Sequence, residues 1–423
     1  MRAWLTAVSA AALLVGAAAW SAVAMRAVVF RGTATVKAGD SDRENTPVYA
    51  DVKLPEALAG KDVEELSASM WLARRARRTS RRAWHAQVAR PEGLPEDTVR
   101  AWWILPAGEA GAETQLGLTV YTAGGLERPP EVASFAWQDT PGDHLDLLYE
   151  GRPVLRYMYA FDPENMEQTK KPFHHVFSPD GQRLITKGPG GKYSHHRGLF
   201  IGWNRTEYDG KRADFWHCTN GVHQRHVEFL EQTAGRVFAR SAMRINWNDA
   251  EGEPVVEEQR TVTVFQQPQP WILIEFVSTL TSKRGTVKLN GDLHHAGFQF
   301  RADNEVTTRE AETNYIFPTD EMKTAELPKE PWVAMSFALG DERFTVLHMN
   351  HTDNPAETTY SDTERRYGRF GAFFTHDLKA DEPLTVKYRL MVHQGAEPPS
   401  AEALHQRYMD FVDPPEVVVA PAE

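Results

Sequence analysis

Cysteine is almost missing from this 423-residue chain: Cys218 stands alone, so no intramolecular disulfide can form and the fold must be held by its core. Beyond the N-terminus no run of about 20 apolar residues occurs, which excludes membrane-spanning helices from the rest of the chain. Long basic tracts are lacking too. With 47 Lys and Arg against 58 Asp and Glu the net charge is −11, which argues against a nucleic-acid partner. A Walker loop, a strand–GxGxxG–helix unit, coiled-coil heptads, internal repeats and a GxSxG elbow are all absent, leaving little support for nucleotide-loop or serine-hydrolase chemistry.

What is present is 41% hydrophobic and 10% aromatic, enough for a sizeable core without staples. Residues 1–24 read as a secretory signal: Arg2 supplies the positive end, Ala3 to Trp20 is small or apolar, and Ala22-Val23-Ala24 offers a cleavage site. The expectation is a periplasmic or secreted protein with no membrane contact after cleavage. Asn204-Arg205-Thr206 matches an N-glycosylation sequon, although it lies inside a motif considered below.

The chain after the signal predicts an all-β protein. Short extended runs such as Thr33 to Lys37, Val48 to Leu54, Ala101 to Leu105 and Gln115 to Tyr121 suggest a small immunoglobulin-like β-sandwich over 28–126. The arginines Arg74, Arg75, Arg77, Arg78, Arg81 and Arg82 read as a solvated hairpin surface, and Glu127-Arg128-Pro129-Pro130 as a linker. From 133 to 413 strand follows strand with no room for crossover helices, which predicts a large antiparallel sandwich of the supersandwich type. Ser400 is the N-cap of a short C-terminal helix whose Leu404, Tyr408 and Phe411 share a face; 414–423 is left as a tail.

All but two of the 16 histidines fall from His144 to His393, and six form the pairs His174-His175, His195-His196 and His294-His295. On a strand neighbours point to opposite faces, so one member of each pair could enter a shared pocket. His175, His196 and His295 would then make a three-histidine site for one divalent metal ion. A metal-free cleft with histidine acid–base chemistry fits the pattern equally. Parity over residues 294–301 puts His295, Gln299 and Arg301 on a polar face, opposite His294, Ala296, Phe298 and Phe300.

Several motifs together resemble the PmoA-like family of exported proteins of largely uncharacterised function. They are Lys171-Pro172-Phe173-His174-His175, Ser178-Pro179-Asp180-Gly181, His195-His196-Arg197-Gly198-Leu199-Phe200-Ile201-Gly202-Trp203, Asp214-Phe215-Trp216, His295 through Arg301, Asn354-Pro355 and Tyr367 through Phe373. The resemblance implies His175, His195, His196, Arg197, Asp214, Trp216, His295 and Arg369 as site positions. Where that family often has Asp-His-Pro before His-His-Arg-Gly, this chain has Lys192-Tyr193-Ser194, so Tyr193 can supply a proton donor but not an equivalent ligand. The methane-oxidising subunit that the family is named after must span a bilayer, for which this chain has no helices after its signal.

Trp203 and Trp216 beside Arg, Asp and Gln suit a sugar ring, which needs an apolar platform and hydrogen-bonding groups. Arg197 or Arg369 would clamp a carboxylate, or pair with Asp214 or Glu258 as scaffolding. Asp214, Glu257, Glu258 and Glu275 are the carboxylates from which a hydrolase would draw its pair. The sequence therefore points to an exported carbohydrate-active lyase, epimerase or hydrolase acting on a saccharide or other polyhydroxylated molecule. The alternative is a non-catalytic sugar- or metal-binding protein on the same fold.

Overall fold

The structure is a computed structural model that describes residues 27–422 except 61, 64, 65, 73–83, 92, 123–132, 320–329 and 362. The expected signal (1–24), the arginine run from Arg74 to Arg82 and the linker Glu127–Pro130 lie outside the described residues. As the sequence predicts, the protein is all-β with a short C-terminal helix.

Seven strands form the N-terminal unit, in the order Arg43–Lys53, Thr98–Gly108, Trp84–Ala89, Leu66–Leu72, Glu113–Thr122, Val28–Lys37 and Glu416–Pro421. Alternation drives it: along Thr98–Gly108 the residues Val99, Ala101, Trp103 and Leu105 turn inward onto Val36, Val48 and Leu118, while their neighbours are half-exposed. The segment expected as a tail is here a strand, Glu416–Pro421, antiparallel to Val28–Lys37. Its Val417 and Val419 pack on the core of this unit, so the two ends of the chain close one sheet.

The large sandwich has two eight-stranded sheets. The front sheet runs Thr359–Ser361, Arg369–Phe373, Ala296–Arg301, Leu199–Trp203, Phe173–Val176, Arg152–Met158, His144–Tyr149 and Phe135–Thr140. The back sheet runs His223–Ala234, Phe238–Asn248, Pro254–Phe265, Trp271–Ser282, Leu384–Gln394, Glu342–Asn350, Trp332–Leu339 and Asn314–Ile316. Leu199, Ile201, Trp203, Phe298 and Phe300 from the front meet Ile245, Trp247, Phe276, Val346 and Tyr388 from the back, all buried. Each such side chain contributes roughly 1.5–3 kcal/mol on burial, which is how a chain without disulfides holds this fold.

The ion pair of Glu258 and Arg260 is fully buried between the sheets. The Glu258 carboxylate accepts two hydrogen bonds from Arg260 (2.8 and 2.9 Å), one from Trp247 Nε1 (2.9 Å) and one from the Ser278 hydroxyl (2.9 Å). It is a satisfied core group.

Helix Ala401–Val412 begins where expected, with the Ser400 hydroxyl accepting from the Ala403 N–H at 3.2 Å. Its Leu404, Tyr408 and Phe411 cover the outer face of the back sheet at Trp332, Met349 and Met391. Trp102 of the N-terminal unit packs on Phe238 and Phe265 of the same face, and Arg43 reaches Asp410 at 3.1 Å. With the back sheet thus covered, the outer face of the front sheet is the one overlaid by loops rich in functional side chains.

Candidate functional site

The parity predicted for residues 294–301 holds along the strand Ala296–Arg301 but not before it: His294 lies in the turn that precedes the strand, half-buried, and does not join the apolar face. Ala296, Phe298 and Phe300 face the core, while Gln299 and Arg301 lie on the outer face of the front sheet. Gln299 Oε1 accepts from Arg369 Nη1 at 2.8 Å, and Arg369 Nε donates to the Tyr367 hydroxyl at 2.9 Å. Beside them Leu199–Trp203 leaves room for a loop: a Cβ on Gly202 would stand 2.4 Å from the Phe215 carbonyl oxygen. The backbone of residues 214–217 therefore lies directly on the strand, pinned by Phe215 N–H to Trp203 O at 2.9 Å.

Two short turns then place two aspartate–histidine dyads side by side. In the first, Asp214 Oδ1 accepts from the backbone N–H of Trp216 (3.0 Å) and His217 (2.7 Å), and His217 Nδ1 lies 2.8 Å from Asp214 Oδ2. In the second, Asp292 Oδ1 accepts from the His294 N–H (3.1 Å) and lies 2.6 Å from His295 Nδ1. Asn204 Nδ2, from the sequon, donates to Asp292 Oδ2 at 2.8 Å, so this asparagine braces the dyad. The His217 and His295 rings are 5.0 Å apart, and both dyads are about one-third exposed, His295 at 35% and His217 at 27%.

His195 and His196 extend the row. Ring centroids run 4.3 Å from His196 to His195 and 4.3 Å from His195 to His217. The alternation expected of this pair does not apply, because residues 192–195 form a turn, and both rings enter the same cluster. Lys187 holds that turn by donating to the carbonyls of Gly190 (2.6 Å), Lys192 (3.0 Å) and Tyr193 (3.0 Å). Tyr193 is 43% exposed at φ +58°, an unusual conformation for a bulky residue, and packs on His196 and Tyr367 at 5.2 Å each.

Burial dominates the electrostatics. It drives His195 and His196 far below the usual imidazole range, with repulsion from Lys171 and Arg369 respectively adding to it. His295 is also lowered by burial, although the Asp292 carboxylate opposes the shift. Burial pushes Asp214 up, but the hydrogen bonds from His217 outweigh it and leave the carboxyl below its ordinary value. Beneath the row, Lys171 is buried between Phe200 and Trp216, donates to the Trp216 carbonyl, and is pushed down to about 7 by desolvation.

Several expected site residues are placed elsewhere. On Phe173–Val176 the alternation does hold: His174 stacks on Tyr157 in the core, and His175 turns to the other face. There His175 is buried, its Nδ1 is 3.1 Å from the Thr186 hydroxyl, and its ring packs edge-on against Phe173 at 4.8 Å. Thus His175, His196 and His295 do not converge as a metal site. Among the described residues no group of three or more His, Cys, Asp or Glu has an arrangement able to hold a metal ion.

Arg197 donates to the backbone carbonyls of Gln168 (2.9 Å) and Glu167 (2.5 Å), tying down the short helix Met166–Thr169 instead of facing the dyads. Trp203 is a core residue between the sheets, 6.0 Å from Trp247, with Nε1 donating to Phe374 O at 2.9 Å. Trp216 stays with the site, 5.7 Å from His196 and 6.1 Å from His295, but its ring is fully buried and forms the floor, not an exposed platform. The carboxylates a hydrolase would pair are dispersed, with Glu257 on Lys283, Glu275 on Arg389 and Glu258 in the core.

His217, Lys171 and Tyr367 join the cluster without having been singled out as site residues. A signal for His217 was available: Asp214-x-x-His217 and Asp292-x-x-His295 share one spacing, and an aspartate that accepts the N–H groups of its own turn can hold a histidine three residues on. Cys218 sits in that turn at φ +53° and is buried.

Fold and site together define a two-sheet β-sandwich, flanked by a smaller β-unit, with a histidine–aspartate cluster on one outer face. The chain belongs to the family of unknown function DUF6807, which it matches over residues 144–408. No curated protein matches it. Among solved structures, a GalM/aldose epimerase homologue from C. elegans is 7% identical, with a TM-score of 0.26, covering 62% of this chain and 99% of its own. Pseudomonas aeruginosa OccK7 (OpdD) is 11% identical with a TM-score of 0.15, covering 88% of this chain and 99% of its own. Likenesses this low carry no argument about function. No helix among the described residues is long and apolar enough to cross a membrane.

Proposed function

We propose that this protein is an exported carbohydrate-active enzyme that removes a proton from carbon, as an epimerase or lyase does, with the aspartate–histidine dyads as its acid–base machinery. The observation that carries this reading is the pairing of His217 on Asp214 with His295 on Asp292, the two imidazoles 5.0 Å apart. Each carboxylate accepts a hydrogen bond from the Nδ1–H of its histidine and so leaves Nε2 as the nitrogen that takes up or releases a proton. A base and an acid are both needed when a proton leaves and another is returned or a leaving group is protonated, and two adjacent dyads supply that pair. His295, which burial lowers from its ordinary value, is the base; His217 beside it is the acid.

Hydrolysis is less favoured, because both site aspartates are already committed to histidine and the remaining carboxylates considered lie elsewhere. The exposed Tyr193 ring beside His195 offers a stacking face for a sugar, with Trp216 as the floor beneath. Kinship with PmoA-like exported proteins belongs to this reading and rests on the sequence motifs.

The test is solvent deuterium exchange. Neutral and acidic mono- and oligosaccharides are incubated with the protein in D2O and their C–H signals followed by NMR. Exchange into a carbon-bound position, lost in both His295→Gln and His217→Gln, is the expected result. Exchange that persists in both variants, or glycosidic cleavage with no exchange, would overturn the reading.

A further inference from the structure

Behind Tyr193 and Tyr367 the site changes character from histidine–aspartate to cation. Arg301 and Arg369 are cross-strand neighbours on the outer face of the front sheet, and both are fully buried. Arg301 Nη1 donates to Tyr367 O (2.5 Å) and Ala302 O (3.2 Å), but its Nε and Nη2 are buried without an acceptor. Next to them His196 stacks on Tyr367 at 6.1 Å, and both of its ring nitrogens are buried without a partner. The His195 Nε2 is in the same condition. The Arg301 guanidinium lies 5.3 Å from the Tyr367 ring, and that of Arg369 lies 5.2 Å from the Trp216 ring.

Buried donors left without acceptors are costly, and the two of Arg301, a cation beside a second cation, Arg369, call for an anionic acceptor. The site's carboxylates do not supply that acceptor: Asp214 is engaged by His217, Asp292 by His295 and Asn204, and Asp303 and Glu310 act on Arg301 through space without hydrogen-bonding its Nε or Nη2. We infer that Arg301, Arg369 and His196 form an anion-binding end of the site, built for the carboxylate of an acidic sugar. A planar carboxylate matches the guanidinium fork, since Nε and Nη2 of one arginine present two parallel N–H groups. The Tyr193 ring packs on His196 and Tyr367 at this end and is itself at the surface, so a ligand reaching the arginines would have to displace that side chain.

This inference rests on the proton-abstraction reading and gives it a substrate class. In a uronate the C–H bond next to the carboxylate breaks, its proton passes to the His295 imidazole, and its electron pair moves onto the carboxylate as an enediolate. The added negative charge develops on the oxygens that the arginines would hold, which is where preorganised donors lower a barrier most.

Calorimetric titration of the wild-type protein with oligomers of glucuronate and galacturonate, matched neutral oligomers of glucose and galactose, and sulfated galactose oligomers decides the matter. The uronates are expected to bind about tenfold or more tightly than their neutral counterparts, the margin of a lost charge-assisted contact. Arg301→Gln should abolish that preference. Because Arg301 also holds Tyr367, the Arg301 Nε–H resonance of the wild type provides a second readout, shifting on addition of uronate. Equal binding of neutral and acidic sugars, preference for the sulfated ones, or an unmoved Arg301 signal would each overturn the inference. Selective uronate binding with no deuterium exchange would uphold this anion site and overturn the enzymatic reading instead.

Discussion

Replacing Gly202 with alanine adds one methyl group at the point where the Asp214–His217 turn rests on the front sheet. Gly202 does not need left-handed backbone angles, so alanine adopts its conformation freely and the whole effect is steric. The new Cβ would stand 2.4 Å from Phe215 O and 3.0 Å from Phe215 C. Carbon and oxygen approach favourably to only about 3.3 Å, so the turn must retreat by about 1 Å. Overpacking of this kind costs about 1–3 kcal/mol in stability. The larger consequence is for the site: lifting residues 214–217 moves His217 away from His295, and a displacement near 1 Å can cost about 100-fold in rate. Urea unfolding and deuterium exchange measured on one preparation separate the two effects. Gly142→Ala, at φ +81° with nothing within 4 Å of its added methyl, is the control: it strains the backbone without touching the site. A Gly202→Ala protein with wild-type stability and wild-type exchange would refute the argument.

Other outcomes follow from the same geometry. His348, fully buried in the core and pushed down to about 3 by desolvation, stays neutral when folded but takes up a proton when unfolded below its ordinary value near 6.5. Its contribution is therefore complete above about pH 6.5 and falls as the pH drops, by up to about 1.4 kcal/mol per pH unit; stability that is flat from pH 7.5 to 5 would contradict this, and His348→Leu should flatten part of the slope. Trp203→Ala should destabilise by about 3–5 kcal/mol in chemical denaturation. Trp203→Phe should leave sugar affinity unchanged, and a selective loss of affinity would return that residue to the site. Ser400→Ala removes the helix cap and should cost about 1 kcal/mol, read as a lowered melting temperature; no change would mean the Ser400–Ala403 bond contributes nothing.

Much of the architecture was legible in the order of residues because a strand writes its own period. Ala296, Phe298 and Phe300 against Gln299 and Arg301 alternate as a half-buried strand must, and the structure puts them on the core and outer faces accordingly. The Ser400 cap with its Leu404, Tyr408 and Phe411 face needed only local rules. The strand Glu416–Pro421 was not legible as a partner of Val28–Lys37, because pairing between the two ends of a chain leaves no short-range pattern.

The candidate site divides along the same line. Composition and motif spacing pointed to a histidine-rich candidate site after residue 144, with one cysteine in the whole chain. Which histidines meet was decided by tertiary structure. His195 and His196 enter one cluster because a turn, not a strand, carries them, while His175 is turned toward Thr186 by a strand that keeps its alternation. Arg197 was drawn to the carbonyls of Glu167 and Gln168, and Trp203 to the space between the sheets. The Asp214–His217 and Asp292–His295 dyads follow a local rule, yet their juxtaposition depends on Gly202 letting one loop lie flat beside the strand that carries the other. Local hydrogen bonding can be read along a chain, whereas the distance between two turns is set by how the sheets beneath them pack.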